Sequence, residues 1–235
     1  MRSNIASTVS DIPRQRKALA AFFLLGAACW LGGCASGTRV KDTTKTFDTV
    51  VIDAGHGGHD SGARSRWAGR EKSANLDVAK RLEPKLRAAG FRTVMTRNTD
   101  DFIALSKRAK VSNGQRNALF VSIHFNDCPK RSIRGTEVYY RSPVSRPVAE
   151  RILAQIDAQP NCSARYVKSA NFYVLRKNEY PAVLVECGYL SNRSEGSLAA
   201  SGKHRERLAG AIADALIDQR GREVPKAAPI ATASR

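Results

Sequence analysis

The chain has 235 residues, of which 42% are apolar and 26% charged, proportions that exclude a disordered, collagen-like or coiled-coil chain and leave room for one ordinary domain with short tails. Lys and Arg number 39 against 21 acidic residues, a net charge of +18, which favours an anionic partner without choosing among nucleic acid, anionic lipid and an acidic polymer. The basic residues are scattered and form no arm or helix-long stripe, which argues against nucleic acid as the partner.

Arg14, Arg16 and Lys17 precede the apolar run ALAAFFLLGAACWL, too short for a comfortable membrane span, and Gly32 and Gly33 follow it. This pattern predicts an export signal over residues 1–33. Leu31-Gly32-Gly33-Cys34 resembles the bacterial lipoprotein box. That resemblance implies lipidation of Cys34, and Ala35 after it implies sorting to the periplasmic face of the outer membrane. An uncleaved amino-terminal anchor is the alternative, and both export the domain. Residues 34–45 read as a short linker, 46–220 as the domain and 221–235 as a disordered tail without a periodic apolar face. Cys128, Cys162 and Cys187 remain after the signal. An oxidising compartment permits one disulfide, and Cys128 with Cys162 is the expected pair because both lie in polar, turn-like segments. Cys187 sits inside an apolar strand and reads as an inert core thiol.

From FDTVVIDAG onward, short apolar runs alternate with amphipathic helices. KSANLDVAKRLEPKLRAAG places Ala74, Leu76, Ala79, Leu82 and Leu86 near a 3.6-residue spacing, with Gly90 as the stop and Pro84 expected to kink or break the helix. The strand FRTVMT, a helix around IALSKRAKVSNGQ, and the strands ALFVSIH and GTEVYYR follow. A helix in RPVAERILAQIDA, the strand PAVLVECGYL and a helix in RERLAGAIADALIDQ complete the series. Such alternation predicts an α/β fold: a largely parallel or mixed twisted sheet of about six strands, covered by helices on both faces.

In such sheets ligands gather beyond the carboxyl ends of the strands. Three apolar strands end in polar chemistry: His56 after VVIDAG, His124 after LFVSI and Glu186 after AVLV. A catalytic zinc takes three protein ligands, often two histidines and a carboxylate, and leaves a position for water. His56 and His124 supply nitrogens, and Glu71 at the start of the first helix is the best carboxylate, although an acid there is also favoured by the helix dipole. Glu186 is costly to bury unless paired, coordinated or catalytic. It suits the base that takes a proton from water and passes it to a leaving amine.

The ordered set DAGHGGHDSGA, REKSANLDVAKRL, FVSIHFND, KSANFYVLR and PAVLVECGYLSN resembles the zinc-dependent N-acetylmuramoyl-L-alanine amidases that cut peptidoglycan, over about residues 47–217. The resemblance implies one Zn2+ held by His56, Glu71 and His124, with Glu186 as the catalytic glutamate. It implies hydrolysis of the amide between the lactyl group of N-acetylmuramic acid and L-alanine. It also places Asn126, Asn171 and Phe172 in the substrate groove. Asp60 is a candidate to orient a ligand histidine, whereas His59 matches no ligand position and is expected to be solvated. Some septal members carry a helical plug after the GTEVYY-like strand; residues 142–170 leave room for one ordinary helix, so no plug is expected. The partners so implied are peptidoglycan and, through Cys34, a membrane; an activator protein is left open, nucleic acid is not expected, and the chain is expected to be a monomer. A zinc peptidase acting on stem peptides and a non-catalytic wall-binding lipoprotein are the competing readings.

Overall fold

The apolar runs become strands and the amphipathic segments helices, in the order the periodicities require. The computed structural model describes residues 40–221. In chain order the elements are β1 (Thr49–Ala54), the short strands β2 (Arg64–Ser65) and β3 (Gly69–Arg70), α1 (Glu71–Ala88), β4 (Arg92–Met95), α2 (Leu105–Asn113), β5 (Ala118–Asn126), β6 (Thr136–Tyr140), α3 (Arg146–Asp157), β7 (Ala164–Ser169), α4 (Tyr173–Arg176), β8 (Ala182–Tyr189), α5 (Arg193–Ala200) and α6 (Gly202–Arg220). Six strands form one sheet in the order β4-β1-β5-β8-β6-β7, and β2 pairs with β3 separately. β4, β1, β5 and β8 are parallel; β6 runs antiparallel to β8 and parallel to β7.

Alternation along the strands divides the core between the two faces. Val50 and Ile52 of β1, Val121 and Ile123 of β5, and Val183 and Val185 of β8 join the larger core with residues of α1, α3 and α6. Val51, Phe120 and Leu184 point the other way, into a smaller core with Val174 and Leu175 of α4. The same period of two puts His124 in phase with Phe120, and Glu186 in phase with Leu184, so both face the α2 and α4 side of the sheet.

Helix α1 runs unbroken through Pro84, so of the expected kink or break the break does not occur. Pro84 lies on the exposed side of the helix, and Lys80, whose carbonyl loses its partner there, is exposed as well, so water can replace the missing bond while Leu82 and Leu86 anchor the buried face. Strand β7 and the β2-β3 pair carry no clear apolar signal: β7 is a largely exposed edge strand with only its centre half-buried, and β2 and β3 are two residues each. Residues 41–45, inside the expected linker, are tied to the domain by Thr43 Oγ1, which donates to Ala118 O at 2.6 Å, and by Lys41 N–H, which donates to Glu179 O at 2.8 Å.

The three described thiols are free, so the expected Cys128–Cys162 bridge is not formed. Cys162 shares a small cavity with Cys187 and His204, while the Cys128 N–H is held by Ser191 Oγ at 2.9 Å. Burial pushes the Cys187 thiol well up, as an inert core thiol requires. The export signal at 1–33, Cys34 and the tail beyond Gly221 lie outside the described residues. Among the described residues no helix is long and apolar enough to cross a membrane.

Candidate active site

The glycine-rich loop after β1 is shaped by close approach. A Cβ at Gly55 would overlap the His124 ring, so only glycine lets the end of β1 lie against the end of β5. His56 adopts φ 60°, the left-handed region, at a cost of about 1–2 kcal/mol for a residue with a side chain. Arg108 Nη2 donates to His56 O at 2.7 Å and helps hold that turn. Further on, Gly62 at φ +61° leaves no room for a Cβ, which would sit 2.5 Å from Glu71 Oε2. The loop thus folds back and begins α1 with Glu71 beside His56.

Glu71 is buried and grips the site from the centre. Its Oε1 lies 3.0 Å from His124 Nδ1 and its Oε2 3.2 Å from His56 Nε2. Its carboxylate also accepts from Ala63 N–H at 2.9 Å, Asn75 Nδ2 at 3.1 Å and Phe125 N–H at 3.2 Å. One ligand atom from each of His56, Glu71 and His124 falls within 4.8 Å of the others, so the three sequence-predicted ligands do converge. Burial works against the Glu71 charge, but the two imidazoles outweigh it and hold the carboxyl well below the usual range. For His56 burial likewise opposes charge, and Glu71 and Asp60 overcome it, raising the imidazole to about 9. Asp60 Oδ1 stands 2.8 Å from His56 Nδ1, placed to orient it.

Glu186 pairs with His124 in the β5-β8 register. Burial pushes its carboxyl up to about 7, with His124 opposing and the charges of Glu71 and Glu137 adding to the rise. Its Oε2 is buried without a hydrogen-bond partner among the described residues. Such a carboxyl changes protonation near neutrality and has a free oxygen to offer. Glu137, directly across the β6-β8 ladder from Glu186, went unnoticed in the sequence. It is fully buried and accepts from Tyr139, Tyr189 and Arg165, and from Asn126 Nδ2 at 3.3 Å.

Asn126 is therefore engaged by Glu137 and lines no part of the pocket beside the histidines. That pocket, about 310 Å³, is bounded by His56, Asp60, His124 and Glu186 on one side and by Phe102, Leu105, Phe172 and Tyr173 on the other. Phe172 is where the sequence placed it, 41% exposed at the rim. Asn171, exposed just before α4, is outside the lining. His59 is exposed, as expected, and its ring rests 4.1 Å from that of Phe102. The segment between β6 and β7 forms a short 3-10 turn and α3, whose Val148, Ile152 and Ile156 are buried. None of its residues lines the pocket, so this segment forms no plug over the site.

Two arginines that the sequence did not flag hold the end of β1. Arg97 donates to Ala54 O at 2.9 Å and, through Nη2, to Gly55 O and Lys72 O at 2.8 Å each. Arg108 donates to Asp53 Oδ1 at 2.6 Å and to Ala54 O at 2.7 Å. Asp53 also accepts from Thr96 Oγ1 at 2.6 Å and Ser122 Oγ at 2.7 Å. An aspartate inside VVIDA was the available signal: an acid buried in a strand requires a cationic partner.

The sequence model of the family described as N-acetylmuramoyl-L-alanine amidase matches residues 50–218. LytC of Bacillus subtilis, an N-acetylmuramoyl-L-alanine amidase, is 36% identical over 190 residues, which cover 78% of this chain and 38% of that protein. The catalytic domain of CwlV, from Bacillus (Paenibacillus) polymyxa var. colistinus, superposes with a TM-score of 0.70 at 36% identity, over 73% of this chain and 97% of that one. The CwlD amidase of Clostridioides difficile, solved in complex with the GerS lipoprotein, gives a TM-score of 0.68 at 26% identity, over 74% and 98% of the two chains. With the match running from the second residue of β1 almost to the end of α6, the chain belongs to the N-acetylmuramoyl-L-alanine amidase family.

Proposed function

We propose that the chain hydrolyses the amide between N-acetylmuramic acid and the first L-alanine of the stem peptide in peptidoglycan. The observation that carries this reading is the convergence of His56, Glu71 and His124 within 4.8 Å, with Glu186 on the neighbouring strand in the same pocket. Two imidazoles and one carboxylate suit Zn2+. The electrostatics agree: Glu71 draws positive charge onto both imidazoles, the charge a divalent cation would supply in place of protons. When bound, zinc would act as a Lewis acid, making water acidic near neutrality and stabilising negative charge on the amide oxygen.

The chain's own residues perform the remaining work. Asp60 orients the His56 ring from its Nδ1 side. Glu186 takes a proton from the attacking water on its free Oε2 and delivers it to the alanine nitrogen as the carbon–nitrogen bond breaks. Phe102, Leu105 and Phe172 give the pocket an apolar wall, which lowers the local dielectric and strengthens those charge interactions. Glu137 is a positioning residue: its negative charge across the ladder helps keep Glu186 protonatable.

The chain boundaries and setting belong to the same proposal. Residues 1–33 serve as an export signal, lipidated Cys34 anchors the domain on the periplasmic face of the outer membrane, and residues after 220 form a tail. The CwlD amidase is complexed with a lipoprotein; for this chain we infer that any activator acts from outside the pocket, since among the described residues the segment between β6 and β7 does not line it.

The detergent-solubilised chain incubated with purified peptidoglycan, with product masses recorded, tests the activity. Stem peptides with a free L-alanine amine are expected, and a chelator is expected to abolish them. Peptides cut at other bonds would make the chain a peptidase, and absence of product with zinc bound would make it a wall-binding protein.

A further inference from the structure

A second cleft, about 920 Å³ in volume, opens where the β2-β3 pair, the loop before β6 and the start of α5 meet. Arg64, Arg66, Arg131, Arg134 and Arg193 line it with Trp67, and no acidic side chain does. All five guanidinium-bearing residues are exposed, and among the described residues none of them is in an ion pair. One wall of the cleft is closely packed, since a Cβ at Gly196 of α5 would collide with the Trp67 ring and the Leu190 carbonyl. Arg66 lies over the Trp67 ring, 5.6 Å from its centre. Planar guanidiniums around an aromatic face form a site for carboxylates or phosphates borne on a partly apolar molecule.

Its position relates it to the candidate active site. Leu190 and Ser191 line the cleft and follow Glu186 on the same run of chain, and Leu190, four residues on and past a bulge in β8, is at most about 13 Å away. The β2-β3 pair leads directly into Glu71. An extended peptide of four residues spans about 13–14 Å. Wall stem peptides are acidic, with free carboxylates beyond the first alanine. We infer that this cleft receives the carboxylates of the stem peptide while its first amide lies at Glu186, and so selects acidic peptide arms. This inference rests on the amidase reading.

The test uses the full chain in detergent, an N-acetylmuramoyl tetrapeptide with free carboxylates, the same compound with its carboxylates amidated, and the tetrapeptide alone. Wild type is expected to favour the free acid by about tenfold or more in kcat/KM, mainly through KM. In Arg66→Gln/Arg134→Gln that ratio is expected to fall towards one, and affinity for the tetrapeptide, read by calorimetry, to fall with it. Equal cleavage of both substrates by wild type, or a double variant that keeps the ratio, would overturn the inference. Inorganic phosphate binding more tightly than the tetrapeptide, and lost in the variant, would overturn it too, by assigning the cleft to phosphate. Cleavage of neither substrate, with arginine-dependent tetrapeptide binding intact, would keep the cleft and remove the amidase reading instead.

Discussion

The arginines at the end of β1 and those around the second cleft have the same side chain and opposite uses. Arg97 and Arg108 are 4% and 2% exposed, and their guanidiniums are taken up by Asp53 and by the carbonyls of Ala54, Gly55, His56, Lys72, Thr99 and Ile103. Arg64, Arg66, Arg131, Arg134 and Arg193 face an open cleft. The excess of positive charge is therefore not one property. Part of it fixes the loop that presents His56, and part is available to a ligand; burial and partners separate the two, and composition cannot.

The comparison can be broken most directly at Arg108. Arg108→Ala leaves Asp53 buried and unpaired, which is expected to cost about 3–5 kcal/mol in chemical denaturation; a loss under 1 kcal/mol would mean that the β1 end does not depend on it. Gly55→Ala is the next largest change. The added methyl displaces the His124 ring, and zinc affinity, measured by competition with a chromophoric chelator, is expected to fall about 10- to 100-fold. A third basic environment sharpens the contrast: His204 is buried with its Nδ1 unpartnered, and burial, with Arg207 and Arg205 adding, lowers its pKa to about 4. Below its unfolded value of 6.5 the unfolded chain takes up a proton that the folded chain refuses, so stability declines from pH 6.5 to about 4 and this contribution is flat above. Thermal melts across that range are expected to show the decline in wild type and a flatter profile in His204→Gln. The smallest effect belongs to the exposed set: Arg66→Gln/Arg134→Gln is expected to change unfolding free energy by less than about 0.5 kcal/mol per site.

Much of the fold was legible because its signals are local. VVIDA, LFVSI and AVLVE are nearly continuously apolar since they are covered on both faces, and α1 and α6 carry buried stripes. Strand β7 escaped notice because an edge strand needs no apolar alternation. In the site, His56, Glu71, His124 and Glu186 were legible since each stands at the end or start of a periodic element. Glu137 and Arg108 were not, because their significance lies in cross-strand and tertiary partners distant in sequence. Asn126 shows the converse: its place two residues after His124, where the resemblance puts the groove, suggested substrate, and Glu137, two strands away in the sheet, claims its amide.

The central claim divides the site between a metal-holding trio and a separate base. The measurement that tests it most directly is zinc content and product formation side by side in wild type and Glu186→Gln. The account predicts one zinc per chain in both proteins and a loss of turnover of about 10²- to 10⁴-fold in the variant. Loss of zinc together with Glu186, or full turnover without it, would contradict the account.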